Sequence, residues 1–212
     1  MMSLEFIKRI LSSIILLPFT FFIIVEGSFI FVTFIIVCLF ISIYEWNNMS
    51  KEKKYNKIGF IFLFFSFLCI YDLRINSDDN YITFLFIVFV CISTDIGGYI
   101  FGKLFKGPKL TKYSPNKTFS GMIGSFIFSI FSIFVFINIF SELNFSIKLI
   151  IFTVMISLIS QIGDIIVSYF KRKSNIKDTG NIIPGHGGLL DRIDGMIFAF
   201  PFSYILILIN FF

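Results

Sequence analysis

The side chains with most chemical potential are concentrated between Ser168 and Asp194, in the run SYFKRKSNIKDTGNIIPGHGGLLDRID. Lys171, Arg172 and Lys173 come first, and Lys177 and Asp178 follow. A Pro-Gly-His-Gly-Gly element then carries His186, the only histidine, before Asp191, Arg192 and Asp194 close the run. Cations beside a glycine-rich backbone suit phosphate oxygens, and carboxylates three apart at a helix start suit Mg²⁺. Asp191 and Asp194 share a face at that spacing and repel each other unless a cation sits between them. The run therefore reads as a nucleotide or diphosphate site at a membrane surface. Gly185, Gly187 and Gly188 allow close backbone approach or positive φ. A phosphate monoester is already largely dianionic at neutral pH, so His186 is expected to donate a hydrogen bond to phosphate, not to abstract a proton.

Two further groups of residues extend this reading. Asp164 lies inside an apolar stretch, where a carboxylate is costly and a functional role is the default. With Ser168 and Lys171 it follows i, i+4, i+7 spacing, which puts a metal-ligand type and a phosphate-binding cation on one helix face. The second group is STDIGGYIFGK, residues 93–103, with SPNKTFSG, residues 114–121. Asp95, Gly98 and Gly102 share a helix face suited to close packing. Ser114, Lys117 and Thr118 supply hydroxyls and a cation in a loop ahead of a span.

The 168–194 run resembles the signature of the phosphatidate cytidylyltransferases, or CDP-diacylglycerol synthases. Its fixed positions are met by Ser168, Phe170, Lys171, Arg172, Lys177, Asp178, Gly180, Ile183, Pro184, His186, Gly187, Gly188, Leu189, Asp191, Arg192, Ile193 and Asp194. The 93–121 region resembles bacterial members of that family at Ser114, Pro115, Lys117, Thr118 and Gly121, with Ser120 replacing their usual Glu.

The elements that must carry these residues are apolar. Hydrophobic residues make up 57% of the 212, and 33 Phe could not be hidden in one soluble core of this size. Stretches long enough to span a bilayer, or nearly so, cover residues 10–25, 28–46, 58–72, 81–101, 120–140, 147–170 and 192–212. This predicts an all-α polytopic membrane protein of about seven spans, a single domain over residues 1–212. The first two stretches are separated only by Glu26, Gly27 and Ser28, a connection short enough for a re-entrant hairpin. Lys8 and Arg9 ahead of the first are expected to belong to an uncleaved signal anchor.

Charge sets the orientation. With the N-terminus in the cytoplasm, every one of the 18 Lys and Arg except Arg74 and Lys148 falls on the cytoplasmic side. Arg74 is expected in an outer loop, balanced by Asp78 and Asp79. The net charge of +5 is then a topology signal and a phosphate-binding surface, not a nucleic-acid footprint. Cys38, Cys69 and Cys91 lie within spans without CxxC spacing, as small packing residues. Glu45 beside Trp46 reads as an interface anchor, and Glu5, Glu26, Glu52 and Glu142 as solvated acids in termini and loops.

The resemblance implies an enzyme that joins CTP and phosphatidic acid into CDP-diacylglycerol and pyrophosphate. It would work as a homodimer, with Mg²⁺ held by Asp164, Asp191 and Asp194 and a second, monovalent cation. Asp164, Lys171, Arg172, His186, Asp191 and Asp194 would be its catalytic group. Asp95, Ser114, Lys117, Thr118, Ser168, Lys177, Asp178, Gly187, Gly188 and Arg192 would bind substrate. Rival readings are a cytidylyltransferase or CTP-dependent kinase for another lipid, and an ion-coupled transporter through Asp95, Asp164 and Asp194. The transporter leaves the Lys-Arg and Gly-His-Gly-Gly cluster without a task.

Overall fold

The computed structural model describes residues 4–51, 53–76, 81–140, 143–183 and 187–211, without the side chains of residues 4–13 and 15. His186 therefore lies outside the described residues, as do Asp78 and Asp79. The described chain forms α1 (Leu4–Glu26), α2 (Ser28–Ser50), α3 (Asn56–Ile75), α4 (Ile82–Phe105), α5 (Phe119–Ile139), α6 (Ile147–Lys173), α7 (Leu190–Ile193) and α8 (Met196–Leu208). No strand forms among the described residues; two isolated bridges, Lys109 with Thr118 and Ile183 with Gly187, close loops.

Helices α2 to α6 are each long and apolar enough to cross a membrane, so the protein is all-helical and multi-pass. Leu16–Glu26 of α1 and all of α8 are apolar but shorter. The expected stretch 192–212 is interrupted at Asp194 and Gly195, so α8 holds 13 residues. Large side chains such as Phe40, Ile61 and Phe131 stand more than half exposed, the pattern of a surface solvated by lipid.

The chain divides into two compact units. The first comprises Met1–Tyr81 and Phe170–Ile193. Here α1 turns directly into α2 through Gly27 and Ser28, both at positive φ. Arg74 seals that turn: its Nε donates to the Ile24 carbonyl at 2.6 Å and its Nη2 to the Val25 carbonyl at 3.0 Å. These are carbonyls of the last turn of α1, which have no intrahelical donors. Arg74 is thus a buried cap within α3, not the loop charge expected from its neighbours. Its reach explains this, because a guanidinium can satisfy two carbonyls while its flat face lies against Phe31 and Tyr81.

The second unit comprises Ile82–Tyr169 and Asp194–Phe212. Its α4 and α5 meet through glycines, as the spacing of Gly98 and Gly102 predicts. A Cβ on Gly98 would lie 2.8 Å from Ser125 Oγ, and one on Gly121 would lie 2.8 Å from the Gly98 carbonyl. Hydroxyls knit the interior. Ser125 donates to the Thr94 carbonyl at 2.8 Å, and Thr94 donates to Ser157 of α6 at 2.9 Å. Helix α8 packs through Phe200, stacked on Phe84 with ring centroids 4.8 Å apart. Cys38, Cys69 and Cys91 are buried free thiols, as expected of packing residues.

Candidate active site

In the second unit the site residues gather around Asp164. One helical turn on, Ser168 donates its hydroxyl to Asp164 Oδ1 at 3.3 Å, the contact that i, i+4 spacing predicts. Lys117 forms an ion pair with the other oxygen, Asp164 Oδ2, and both side chains are about a quarter exposed. Sequence separation hid this pair; a folded loop creates it. The chain between α4 and α5 doubles back, with Leu110 donating to the Lys117 carbonyl at 2.7 Å and Phe119 to the Pro108 carbonyl at 3.1 Å. Tyr113 packs edge-on against Tyr169 of α6, at 4.9 Å between centroids, which holds the loop to the helix carrying Asp164.

Thr118 is the N-cap of α5, its hydroxyl accepting from the Gly121 amide at 3.1 Å. Ser120, where the resembling family has Glu, donates to the Lys106 carbonyl and ties the base of the loop. Ser114 lies at the start of the turn that closes onto the Lys117 amide, at 3.0 Å. Asp95 sits exposed on α4.

Gly163 precedes Asp164 and faces the start of α8. A Cβ there would lie 2.6 Å from the Phe198 ring and 3.0 Å from the Asp194 carbonyl. Glycine thus lets the Asp194 main chain abut α6 beside Asp164, while Asp194 Oδ1 accepts from the Gly195 amide at 2.8 Å.

In the first unit the centre is Asp191. Its Oδ1 accepts from Lys171 Nζ at 2.9 Å; its Oδ2 accepts from the Thr179 amide at 2.8 Å and the Gly188 amide at 3.0 Å. This pair is buried, with side-chain exposures of 10% for Lys171 and 4% for Asp191. Helix α6 stops in time to present Lys171 because Asn175 adopts positive φ. The Ile176 amide then returns to the Lys171 carbonyl and the Asn175 amide to that of Arg172, a Schellman ending. Phe170 packs against Trp46 and Tyr55, and Lys173 lies over the Tyr55 ring at 4.7 Å. Arg172 donates to the Ile176 carbonyl at 3.1 Å. Arg172, Lys177, Asp178 and Arg192 are exposed. Gly187 has the positive φ expected of it, and a Cβ added there would lie 3.0 Å from Asp191 Oδ2, which leaves little room for a side chain.

Sequence reasoning missed Glu45. It is 1% exposed, and its carboxylate accepts from Thr179 Oγ1 at 2.8 Å, the Leu189 amide at 2.9 Å and the Leu190 amide at 2.8 Å. Trp46 is buried too, its indole donating to the Asn56 carbonyl at 3.0 Å. The expectation of an interface anchor is therefore corrected: both residues face the interior of the first unit. A signal was available, since Glu45 is the only charged residue between Ser28 and Ser50. Such an acid within a span needs partners.

Among the described residues, no group of three or more His, Cys, Asp and Glu side chains could hold a metal ion. The donor chemistry nevertheless fits Mg²⁺ at two of the expected ligands. Asp164 and Asp194 are hard oxygen donors on abutting segments of one unit, and Mg²⁺ is commonly bound by one or two carboxylates with substrate phosphates completing the shell. Asp191 fits less well, because both its oxygens already accept from the protein.

The cytidylyltransferase family model matches residues 7–75 and 58–210, nearly the whole chain. The chain belongs to the cytidylyltransferase family. Its similarity to a phosphatidate cytidylyltransferase of Rickettsia bellii (strain RML369-C) is 37% identity over 204 residues, 92% of this chain and 88% of the relative. Phosphatidate cytidylyltransferases of Staphylococcus saprophyticus and Bacillus subtilis (strain 168) are 40% and 38% identical over 156 and 160 residues. Those matches cover 73% and 72% of this cytidylyltransferase-family chain, but only 56% and 59% of the longer relatives.

Proposed function

We propose that the protein transfers the cytidylyl group of CTP to phosphatidic acid, forming CDP-diacylglycerol and pyrophosphate. The observation that carries this reading is the match over nearly the full length of both chains to a relative named for that reaction. A phosphate oxygen of the lipid attacks the α-phosphorus of CTP, and the bond to the β-phosphate oxygen breaks. Both reactants are anions, so positioning and charge neutralisation do most of the work.

Lys171, Arg172, Lys177 and Arg192 contact phosphate oxygens in this reading, and His186 donates to them. Lys117, already beside Asp164, is a cation that can move from carboxylate to phosphate, supported by the quarter exposure of both partners. Asp164 and Asp194 would hold Mg²⁺, which supplies charge neutralisation for the departing pyrophosphate. Asp191 is given to the frame instead, because Lys171 and two backbone amides occupy its oxygens.

The reading also includes seven membrane elements, with α1 and α8 entering the bilayer, and a cytoplasmic N-terminus and active site. Its support is the distribution of Lys and Arg. The family resemblance adds a homodimer and a monovalent cation. Single cysteines near Lys54, Lys112 and Ser174, in a chain lacking its three native ones, should be labelled only from the cytoplasmic side.

The deciding assay mixes purified protein, phosphatidic acid and CTP labelled at the α-phosphorus. Label should enter the organic phase with release of pyrophosphate. A γ-label entering lipid instead would mean a kinase, and no lipid label of either kind would reject the reading.

A further inference from the structure

Glu45 is a buried acid that the expected chemistry does not use, and it holds two separated stretches of the signature together. Thr179 binds it through a hydroxyl, and Leu189 and Leu190 through backbone amides. The signature glycines fit around it. A Cβ on Gly180 would lie 2.8 Å from Glu45 Oε1, and one on Gly188 would lie 2.5 Å from Oε2. The residues it grips adjoin those gripped by Asp191: Thr179 binds Glu45 with its hydroxyl and Asp191 with its amide, while Gly188 donates to Asp191 immediately before Leu189 donates to Glu45. Asp191 in turn receives Lys171. A carboxylate is the side chain that suits this place. It accepts from several donors and offers none, whereas an amide would point its NH₂ at the Leu189 or the Leu190 amide.

We propose that Glu45 is a positioning residue for CTP phosphate binding: from α2 it sets the Thr179–Gly180 and Gly188–Leu190 segments so that Asp191 can fix Lys171. This rests on the cytidylyltransferase reading, in which Lys171 contacts phosphate. Glu45 itself touches no substrate and acts through the Asp191–Lys171 pair.

The test is two double-mutant cycles on the full-length protein. In the activity cycle, Glu45→Gln should lower kcat/KM for CTP about ten- to a hundredfold, the size expected when hydrogen bonds to a charged group are lost. Because Lys171 is the route of the effect, adding Glu45→Gln to Lys171→Ala should cost less than about threefold more. A merely structural Glu45 would multiply the two losses in full, and that result, or a harmless Glu45→Gln, would overturn the proposal. The second cycle reads thermal unfolding and needs no turnover. Gly180→Ala should lower the midpoint in the wild-type background and lose that penalty alongside Glu45→Ala, where the obstructing carboxylate is gone. An equal penalty in both backgrounds would show that Glu45 does not hold the segment. Wild-type protein that makes no cytidine lipid would refute the enzymatic reading, while the unfolding cycle still judges the hold of Glu45.

Discussion

The Lys117–Asp164 and Lys171–Asp191 pairs are built in opposite ways. Lys117–Asp164, in the second unit, is about a quarter exposed on each side, and among the described residues the only other contact of the Asp164 carboxylate is one long bond from Ser168. Lys171–Asp191, in the first unit, is buried, and two backbone amides complete the Asp191 carboxylate. A pair with partial access to water is screened, so its partners can be exchanged at smaller cost than those of a buried pair. A buried pair with satisfied oxygens resists exchange, since removing either partner strands a charge away from water. In the proposed reading the same residue types therefore serve two ends: Asp164 is available to a ligand, and Asp191 holds its surroundings in place. Glu45 follows the Asp191 pattern more strictly, with hydrogen-bond donors from the protein and almost no exposure.

The comparison would break first at Asp191. Asp191→Ala leaves the Lys171 ammonium buried and two amides unpaired, so it should destabilise the protein by about 3–5 kcal/mol. A midpoint close to wild type in detergent would mean that the pair does not frame the signature. The partly exposed pair should behave differently. Lys117→Ala should change stability by no more than about 1 kcal/mol. It should nevertheless cut kcat/KM about ten- to a hundredfold, through loss of a charge-assisted phosphate contact. Initial rates and unfolding curves on one preparation separate the two effects. The smallest change is expected from Thr179→Ala, which removes one donor from Glu45 while the Leu189 and Leu190 amides remain. It should cost about 1 kcal/mol in unfolding free energy, and a loss as large as that of Asp191→Ala would move the centre of the frame from Asp191 to Thr179.

Local features of this arrangement were legible in the sequence, and tertiary ones were not. The apolar stretches correspond to α1 through α6 within a few residues at most ends, because a bilayer-length run of Phe, Ile and Leu leaves helix as the only spanning structure. Helical spacing correctly paired Ser168 with Asp164 and gave Gly98 and Gly102 their packing face. Periodicity has no access to contacts made by loop closure, so Lys117 could be named but not matched to Asp164. The interruption at Asp194 and Gly195 was hidden for a related reason. Gly195 faces Ser160, where an added Cβ would come within 2.9 Å of the Ser160 carbonyl, a contact made by another helix. Glu45 and Arg74 share one lesson. The immediate neighbours of each suggest a border residue, whereas each satisfies backbone groups far away in the chain.

The most direct test of the division between framing and reacting carboxylates is Asp164→Asn, with CTP-dependent lipid labelling and thermal unfolding measured on the same purified sample. Asn keeps the shape and a hydrogen-bond acceptor for Ser168 but removes the charge. Turnover should fall at least about a hundredfold, the scale of losing an electrostatic group that acts on the transition state. The unfolding midpoint should stay within about 2 °C of wild type, as for a substitution outside the buried framework. Near-normal turnover, or a fall in turnover matched by a collapse of the midpoint, would contradict the assignment of Asp164 to the reaction.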